Sequence, residues 1–530
     1  MLFAIHSLYG QEPEYSYFYR VYLSDKGGAV YNPEDLLSAR AISRREKAGI
    51  SYPDFRDLPV YKPYLEQISV SGLILHCASK WMNTALFKSN TITDASSLLE
   101  LPFVSDVKKV KTKGKKASFN DKLHFEVISQ DFPSYDRPVT MINGYPIHES
   151  GYNGKTILIA VLDGGFVNVD LISSLSALRS RNGIKATYDF VRNTEFVYGF
   201  NNHGTAVMSV LAGDIPLYIK GTAPGADYLL LLTEDVRSEF PCEEDFWAAG
   251  AEFADSSGAD IISSSLGYYI FDDPELNYKP EETDGNTAFV TRVADIAASK
   301  GILVVNSAGN ERENQWRKII FPSDGDSVLS VAAVDGNNII ASFSSSGPAY
   351  GGKIKPDNAA MGVYVPVQTL PGFIGRSNGT SFSCPVLSGM AACLLQAVPE
   401  ALNNDIINAF HKSADRYNSP DSLYGYGIPD MVAALSDLQD KYVNVPDEEI
   451  VAGPNPTTGD IEIIFDKNPE NLVIEIITLT GRVIYRKDIS HYAGRILRIS
   501  ELQNREQGIY FIRLLKDDST IVRKIIKLGK

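Results

Sequence analysis

Apolar and polar positions alternate over short stretches in the first part of the chain, residues 15–110. Residues 17–23 and 68–76 show this period of two, and a polar stretch of helical character lies at residues 33–47. A period of two predicts strands with one buried face, so we predict a small α+β unit here. We find no nucleophile placed beside a base in this part of the sequence.

Between residues 145 and 438 the pattern changes to short, fully apolar runs, each ended by Gly, Ser or Asn and followed by a helix-like segment. The runs are TILIAVLD, YLLLLT, ADIISSSLG, GILVVNSAGN and SVLSVAAVD. Such runs predict a mostly parallel sheet covered by helices on both faces. Ligands gather at the carboxyl ends of the strands in these sheets, so the polar residues that end the runs are the candidate site.

After Pro446, short alternating strands return at residues 461–465, 472–479, 509–515 and 521–527, and their spacing predicts a small β-sandwich. A separate feature is the run KKVKTKGKK at residues 108–116. It has no apolar periodicity, and we predict an exposed linker. A nucleic-acid-binding patch is the alternative interpretation of its six lysines.

Length and composition narrow the class of protein. A chain of 530 residues is too long for one hydrophobic core, and 44% hydrophobic with 22% charged residues is typical of globular domains. A formal charge of −15 and a pI near 5.1 argue against nucleic acid as a general partner. Cys384 and Cys393 lie nine residues apart in one predicted helix, roughly 13 Å along its axis, and cannot form a disulfide. With Cys77 in another predicted domain, we expect free, mostly buried thiols.

The first residues, MLFAIHSLYGQ, have an apolar stretch but lack the basic residues that begin a secretory signal. We interpret residues 1–11 as a truncated signal peptide, with a disordered tail as the alternative. No later run reaches the ~18 apolar residues that cross a bilayer, so we predict no transmembrane segment.

Three residues at strand or helix ends are of the types that amide hydrolysis needs, namely a nucleophile, a base and a group that orients the base. Asp163 ends TILIAVLD, His203 lies in NNHGTAVMSVLAG, and Ser381 lies in GTSFSCPVLSGMAACLL just before a helix that we predict to begin near Pro385. Taken singly, each has an ordinary explanation: a helix-capping aspartate, a surface or core histidine, and an N-cap serine.

The joint order of Asp, His and Ser, each on the type of segment that its role needs, favours a shared function. With VLDGG, HGT, GTAPGA, SSSLG, SAGN, FSSSGP, KPD and GTSFSCP in the same order, and GYGIPD near the end, residues 145–438 resemble the subtilisin family. The resemblance implies a serine endopeptidase with Asp163, His203 and Ser381 as its catalytic triad. It also implies that the Asn310 amide and the Ser381 backbone N–H stabilise the oxyanion.

The same resemblance implies a substrate-binding cleft. One set of residues would offer backbone groups to an extended peptide, and another would line the pocket for the residue before the cut; the two sets are Ser265, Leu266 and Gly267, and Ser307, Ala308 and Gly309. The chain departs from the family in having Gly164 where Ser or Thr is usual, and Phe382 where Met is usual. Because DGGF is close to the DAGF of a bacterial branch of the family, we expect an active enzyme.

No cofactor is expected to be needed for the chemistry, but structural calcium is frequent in this family. The loop FDDPELNYKPEETDG supplies suitable oxygen ligands in Asp272, Asp273, Glu275, Glu281, Glu282 and Asp284. A solvated acidic loop is the alternative.

The flanking parts complete the predicted organisation. Residues 12–116 resemble a propeptide that acts as an intramolecular inhibitor, with a permanently attached accessory domain as the alternative, and residues 117–144 would be a linker and the start of the mature region. The catalytic domain would span residues 145–440. Residues 447–530, with PNPTTG, LTG, GIY and RKII, resemble the sorting domain of the type IX secretion system. A carbohydrate-binding or adhesive module is the alternative for this last part.

We therefore predict a secreted or cell-surface endopeptidase, made as a zymogen and exported across the outer membrane of a diderm bacterium. Its partners would be protein substrates, its own propeptide and the secretion machinery. Two other classes of function are a binding protein on an inactive protease scaffold and a nucleotide-binding α/β enzyme. The latter needs a phosphate-binding fingerprint after the first strand, and LDGGFVNVD is not one.

Overall fold

The computed structural model describes residues 17–29, 31–93, 95–112, 123, 134–442, 450–516 and 519–529. Residues 1–11, interpreted above as a truncated signal peptide, lie outside this range, as do residues 117–122 and 124–133 of the predicted linker and mature start at residues 117–144.

An antiparallel sheet of four strands, in the order β2-β3-β1-β4, forms the N-terminal unit together with three helices. The predicted strand at residues 17–23 is confirmed, and the helical stretch at residues 33–47 is present as two helices. The elements are β1 (Tyr17–Leu23), α1 (Pro33–Leu36), α2 (Ala39–Lys47), α3 (Lys62–Ser69), β2 (Ile74–Ser79), β3 (Thr84–Ser89) and β4 (Val104–Lys111).

Two expectations for this unit were wrong. Residues 68–76 are not one strand, because α3 continues to Ser69 and Gly72 turns the chain with φ +89° before β2 begins. The first four residues of the lysine-rich run, residues 108–111, belong to β4 and not to an exposed linker. Within β4, the side chains of Val104 and Val110 are buried. Its lysines lie on a strand at the edge of the sheet, where charges discourage pairing with other chains.

The central part of the chain contains a seven-stranded parallel sheet in the order β13-β12-β11-β10-β5-β9-β6. All five apolar runs named above are strands of this sheet, as predicted. The elements of this part are α4 (Arg137–Thr140), α5 (Tyr145–Glu149), β5 (Leu158–Asp163), α6 (Ser176–Ser180), β6 (Ile184–Asp189), α7 (His203–Ala212), β7 (Asp214–Ile215), β8 (Ile219–Lys220), β9 (Asp227–Leu232), α8 (Cys242–Ser257), β10 (Ile261–Ser264), α9 (Phe289–Ser299), β11 (Leu303–Ser307), β12 (Val328–Val334), β13 (Asn358–Met361), β14 (Val365–Leu370), β15 (Phe373–Ser377), α10 (Thr380–Ala397), α11 (Asn403–Ser413) and α12 (Met431–Tyr442).

Both faces of the parallel sheet are buried, which explains why its strands read as continuous apolar runs. In β5, Ile159 and Val161 belong to a core shared with α7 and α10, whereas Leu158, Ala160 and Leu162 face a second core shared with α8 and α9. The predicted α/β fold with helices on both faces is therefore confirmed. The strand order reverses its direction of growth between β5 and β10, which is where sheets of this kind bind ligands.

The C-terminal part consists of two antiparallel sheets, β16-β17-β20 and β19-β18-β21-β22. Their inward side chains join the core that also contains α10 and α12. At the junction with the central part, the Tyr152 hydroxyl donates to the Ile496 carbonyl at 3.0 Å, and the Ala493 N–H donates to Ser150 Oγ at 3.0 Å. The strands are β16 (Ile450–Gly453), β17 (Ile461–Phe465), β18 (Glu470–Thr478), β19 (Val483–His491), β20 (Ile496–Ile499), β21 (Gly508–Lys516) and β22 (Ser519–Lys527).

All four cysteines lie in the described part of the chain and are free, as predicted. Within the described residues, one helix, α10, is long and apolar enough to cross a membrane, but 89% of it is buried inside the protein. Its apolar character is that of a helix buried on all sides inside a protein core.

Candidate active site

Asp163 and His203 form a buried pair at the carboxyl edge of the parallel sheet. Asp163 is the last residue of β5 and His203 the first residue of α7, and His203 Nδ1 lies 2.8 Å from Asp163 Oδ1 and 3.0 Å from Oδ2. The two side chains are 0% and 4% exposed. The Gly164 N–H donates to Asp163 Oδ1 at 2.7 Å. Asp163 is not a helix cap, because the next helical element begins only at Ser173. A carboxylate in this position orients the imidazole and leaves Nε2 to face the other way.

Ser381 lies at the start of α10, in the first helical turn. The helix begins at Thr380, so the expected start near Pro385 was wrong, and Gly379 with φ +148° precedes it as the N-cap residue. Ser381 is therefore inside the helix and is not an N-cap serine. Phe382, its neighbour, is buried and its ring centroid lies 6.1 Å from that of His203. The phenylalanine that replaces the usual methionine thus packs near the ring of His203.

Ser265 has a role that the sequence did not reveal. Pro385 lies inside α10 and has no N–H to donate to the Ser381 carbonyl, four residues earlier. The Ser265 hydroxyl donates to that carbonyl instead, at 2.9 Å, and the Ser381 hydroxyl lies 3.5 Å from the Ser265 carbonyl. Ser265, the residue after β10, therefore contacts the start of α10 through both its hydroxyl and its carbonyl.

The Asn310 side chain is fixed by the same helix start. Its Oδ1 accepts hydrogen bonds from the Thr380 N–H at 2.9 Å and the Thr380 hydroxyl at 3.0 Å. This arrangement leaves Nδ2 as the end of the amide that can donate to a ligand. Asn310 is exposed, three residues beyond the end of β11 and next to the start of α10. An amide held in this way is preorganised to stabilise negative charge beside Ser381.

The six predicted substrate-binding residues lie at the same edge of the sheet, three of them directly after β10 and three from the last residue of β11 onward. Asn306, which the sequence did not single out, ties the two segments together, because its Nδ2 donates to the Leu266 carbonyl at 3.0 Å and to the Ser307 carbonyl at 2.9 Å. Gly309 adopts φ +104°, and its N–H donates to Thr380 Oγ1 at 3.2 Å. Glycine is favoured at position 309 because a residue with a side chain would be strained in this backbone conformation. The Ile320 N–H donates to the Ala308 carbonyl at 3.1 Å, and the Ile320 side chain packs against Gly267.

Acidic side chains gather beside Asp163. The carboxylate oxygens of Glu234, Glu239 and Glu243 lie within 4.8 Å of one another, and Tyr268 donates to Glu234 Oε2 at 3.0 Å. Leu123, from the segment between the N-terminal and central parts, packs into the space that a side chain at position 164 would fill.

Three carboxylates of the predicted calcium loop accept hydrogen bonds from nearby backbone N–H groups, whereas Asp272 accepts from the more distant Glu239 N–H at 3.2 Å. Asp273 accepts from the Glu275 N–H at 3.2 Å and Glu282 from the Lys279 N–H at 2.7 Å. Asp284 accepts from the N–H groups of Asn286 and Thr287, at 2.8 Å each, and backbone hydrogen bonds contribute to its lowered pKa, which burial alone would raise. The calcium site stays a prediction.

Three family models match successive parts of the chain. The subtilase family model matches residues 154–427, which are more than half of the chain and include Asp163, His203, Asn310 and Ser381. A peptidase S8 propeptide domain of Bacteroidota matches residues 18–123, and a secretion system C-terminal sorting domain matches residues 453–528.

Characterised relatives are subtilisins. Subtilisin E of Bacillus subtilis (strain 168) is 30% identical over 299 residues, which cover 56% of this chain and 70% of that protein. Subtilisin of Bacillus pumilus is also 30% identical over 299 residues, covering 56% of this chain and 97% of that one. Among solved structures, the MycP3 protease from the type VII (ESX-3) secretion system is 22% identical with a TM-score of 0.47, over 59% of this chain and 91% of that one.

Proposed function

The chain belongs to the subtilase family and is a serine endopeptidase, and from this premise we propose that Asp163, His203 and Ser381 are its catalytic triad. The observation that carries the proposal is the buried Asp163–His203 pair, with Nδ1 at 2.8 Å from Oδ1, beside the helix start that presents Ser381. A buried carboxylate favours the imidazolium that forms when histidine accepts a proton.

In the proposed reaction, His203 Nε2 takes the proton of the Ser381 hydroxyl as Oγ attacks the carbonyl carbon of a peptide bond. His203 then donates this proton to the leaving amine, and an acyl-enzyme remains on Ser381. Water, activated by the same histidine, attacks the acyl carbon and releases the second product. Asp163 keeps the imidazole in the tautomer with the proton on Nδ1.

Two donors would stabilise the tetrahedral oxyanion. The first is Asn310 Nδ2, whose orientation is supported by the two hydrogen bonds that Thr380 donates to Oδ1. The second is the Ser381 N–H, which lies in the first turn of α10, where N–H groups have no partner within the helix. The positive end of the helix dipole adds to this stabilisation.

The N-terminal unit matches a propeptide, and we propose that this prodomain blocks the cleft of the zymogen. It packs on α8, where the buried Arg20 forms a salt bridge with Asp245 at 2.7 Å and donates to Glu244 at 3.2 Å. Beyond β4, Thr112 donates to Asp273 at 3.1 Å, and Leu123 lies against Gly164 next to Asp163. Thr112 and Leu123 thus both contact the catalytic domain, and the Leu123 contact at Gly164 supports the proposal that this region reaches the active site.

The sorting domain at the C-terminus indicates export across the outer membrane as a secreted or cell-surface protein. This location limits the substrates to proteins and peptides outside the cell. The chemistry proposed here uses only side chains and backbone groups of the chain.

A fluorophosphonate probe tests the proposal on the mature protein. Covalent labelling of Ser381, with loss of labelling in Ser381→Ala, is the expected result. Absence of label on the folded mature protein would refute the triad and favour an inactive scaffold. The zymogen part is tested separately: Ser381→Ala should accumulate at full length, whereas the active chain should be trimmed near residues 108–116. Normal trimming of Ser381→Ala with no other protease present would favour an accessory domain.

A further inference from the structure

Helix α2 of the prodomain packs at the edge of the parallel sheet opposite the active site. The Ser38 N–H, just before α2, donates to the Ser256 carbonyl at 2.9 Å, and Gly258, with φ +84°, ends α8 against Arg40 and Ala41. Residues 259 and 265 precede and follow β10. At about 3.3 Å per residue, this places the contact roughly 20 Å from the Ser381 end of the strand.

Arg44 of α2 satisfies carbonyl groups at the ends of two helices of the catalytic domain. Its Nε donates to the Lys300 carbonyl, after α9, at 3.1 Å, and its Nη1 donates to the Ala259 carbonyl, after α8. Its Nη2 also reaches the Asp255 carboxylate and carbonyl. The carbonyls of Lys300 and Ala259 follow the two helices closely, and the prodomain supplies a donor to each of them.

A buried network of charges continues this contact across the boundary between the two domains. Arg45 donates to Asp57 at 2.8 Å, within the prodomain, and to Asp255 of α8 at 2.6 Å. Lys300 of the catalytic domain lies 2.6 Å from Asp54 and 3.2 Å from Asp57. The side chains of Arg45, Asp57, Asp255 and Lys300 are at most 1% exposed.

The exposed rim of the same surface carries two more cations. Arg40 donates to the Thr156 carbonyl at 3.0 Å and pairs with Asp260 at 2.5 Å, and Lys47 donates to the carbonyls of Pro399 and Ala401, at 3.0 Å each. Arg40, Arg44 and Lys47 recur three to four residues apart and therefore share one face of α2.

The C-terminal end of α8 is poorly matched to its helix dipole at this surface. Helix α8, wholly within the described residues, has no basic residue in its last turn, whereas α9 ends at Lys300, its C-cap residue. Asp255 places a negative charge at the C-terminal end of α8, where the helix dipole disfavours it. Arg44 and Arg45 offset both defects, so this surface is complementary to the arginines of α2.

We propose that residues 38–57 are a distal anchor, which keeps the prodomain bound to the catalytic domain after the linker between them has been cut. This inference rests on the proposed zymogen function, but it concerns the release of the prodomain and not the chemistry. The anchor lies at the edge of the sheet opposite the active site, and its contacts must break before the prodomain can leave. Breaking buried ion pairs on one side leaves charges without partners, which makes dissociation slow.

The test uses the full chain with Ser381→Ala, which cannot process itself, and a recognition sequence for a site-specific protease inserted after Lys116. The chain is cut after folding, and release of the prodomain is followed by size-exclusion chromatography. We expect the parent prodomain to co-elute with the remainder for hours. Arg44→Met with Arg45→Met should speed release about a hundredfold or more, since several charged hydrogen bonds are lost. Arg56→Met, an exposed arginine in the same segment, should release at the parent rate.

Prompt release of the parent prodomain, or release of the Arg44→Met, Arg45→Met chain at the parent rate, would overturn the anchor. Far-UV and near-UV circular dichroism before cutting checks that each chain is folded. If the double variant does not fold, Arg40→Met with Lys47→Met on the exposed rim replaces it, and release at the parent rate again refutes the proposal. Because the chain is inactive by design, the outcome does not depend on the triad, which the fluorophosphonate label tests separately.

Discussion

The hydroxyl of Ser265 donates a 2.9 Å hydrogen bond to the carbonyl oxygen of Ser381. This bond replaces the one that Pro385 cannot make inside α10. Because Pro385 has no N–H, the Ser381 carbonyl lacks its usual donor within the helix and can accept a hydrogen bond from Ser265 at the end of a neighbouring strand. The backbone of Ser381, the proposed nucleophile, is thus hydrogen-bonded directly to the segment that we expect to contact substrate.

Ser265→Ala should lower both the stability and the kcat of the enzyme, although it removes no side chain that takes part in the proposed chemistry. The Ser381 carbonyl would be left buried without a donor, which costs about 1 to 3 kcal/mol in free energy of unfolding. We expect kcat to fall about tenfold or more as the nucleophile is less well positioned. Ser263→Ala, two residues earlier on β10 and 3.8 Å from Cys384 Sγ, is the control and should keep kcat near that of the parent. Equal kcat values for the two variants would contradict the positioning role.

Ser381→Ala and His203→Ala should each abolish turnover, and the double variant should be no worse than either single one. The members of a triad act as one unit, so their losses do not add. Steady-state kcat/KM on a peptide substrate measures this. Strictly additive losses would show that the two residues act independently.

Asn310→Ala should lower kcat about 10²- to 10³-fold with little change in KM, because its amide binds the oxyanion and not the ground state. This magnitude is the one measured for the corresponding donor in subtilisin itself. Asn404→Ala, an exposed asparagine on α11, is the control. A change confined to KM would indicate that Asn310 contacts the substrate but not the transition state.

Acid should loosen the prodomain through His76. This residue lies between the rings of Phe18 and Phe246, and its Nε2 donates to the Phe190 carbonyl at 2.9 Å. Burial lowers the pKa of His76 to about 4, with smaller contributions from Lys88 and Lys111. The complex therefore favours the neutral form of His76. Its contribution to prodomain affinity is complete above the pKa of a free histidine, about 6.5, and is lost as the pH falls towards 4.

The measurement is the affinity of the cut prodomain in the Ser381→Ala chain at pH 7.5 and pH 5.5. His76 should weaken binding about tenfold over this interval. Burial raises the pKa values of Glu244, Asp245 and Glu252, which acts in the opposite direction. The decisive quantity is thus the difference between the parent and His76→Gln, which keeps a donor for the Phe190 carbonyl. Identical pH profiles would eliminate His76 as the titrating group.

Deletion of residues 447–530 should leave peptidase activity intact in a recombinant protein and stop surface delivery in the native host. The tail supplies none of the proposed catalytic groups, but it covers Tyr152 and Ser150. Exposing one large apolar side chain costs about 1.5 to 3 kcal/mol, so Tm should fall by several degrees. Loss of activity in a truncated enzyme that is still folded would argue against a separate sorting role.

The sequence predicts the parallel sheet and its polar strand ends well, because these depend on local patterns that each strand carries within itself. Asp163 and His203 are brought together by the parallel sheet, as the order of motifs implies. The support of Ser381 by Ser265 joins residues 116 positions apart and depends on a hydrogen bond that Pro385 lacks. No pattern within either segment reveals such a contact.

Helix α2 shows a second limit. From its sequence, ARAISRREK reads as a polar, solvent-exposed helix. Arg44 and Arg45 are nevertheless buried, because carboxylates and carbonyls of a domain more than 200 residues away receive them. Charge predicts exposure only when no partner compensates it.

The four free cysteines have a consequence for the covalent chemistry of the chain. Burial raises the pKa of Cys384 to about 12 and raises those of Cys77, Cys242 and Cys393 as well, so the reactive thiolate forms are scarce. No disulfide has to form, and none can be reduced. The chain therefore needs no oxidation step to reach this fold, either in the reducing cytoplasm or in the oxidising surroundings of the exported protein.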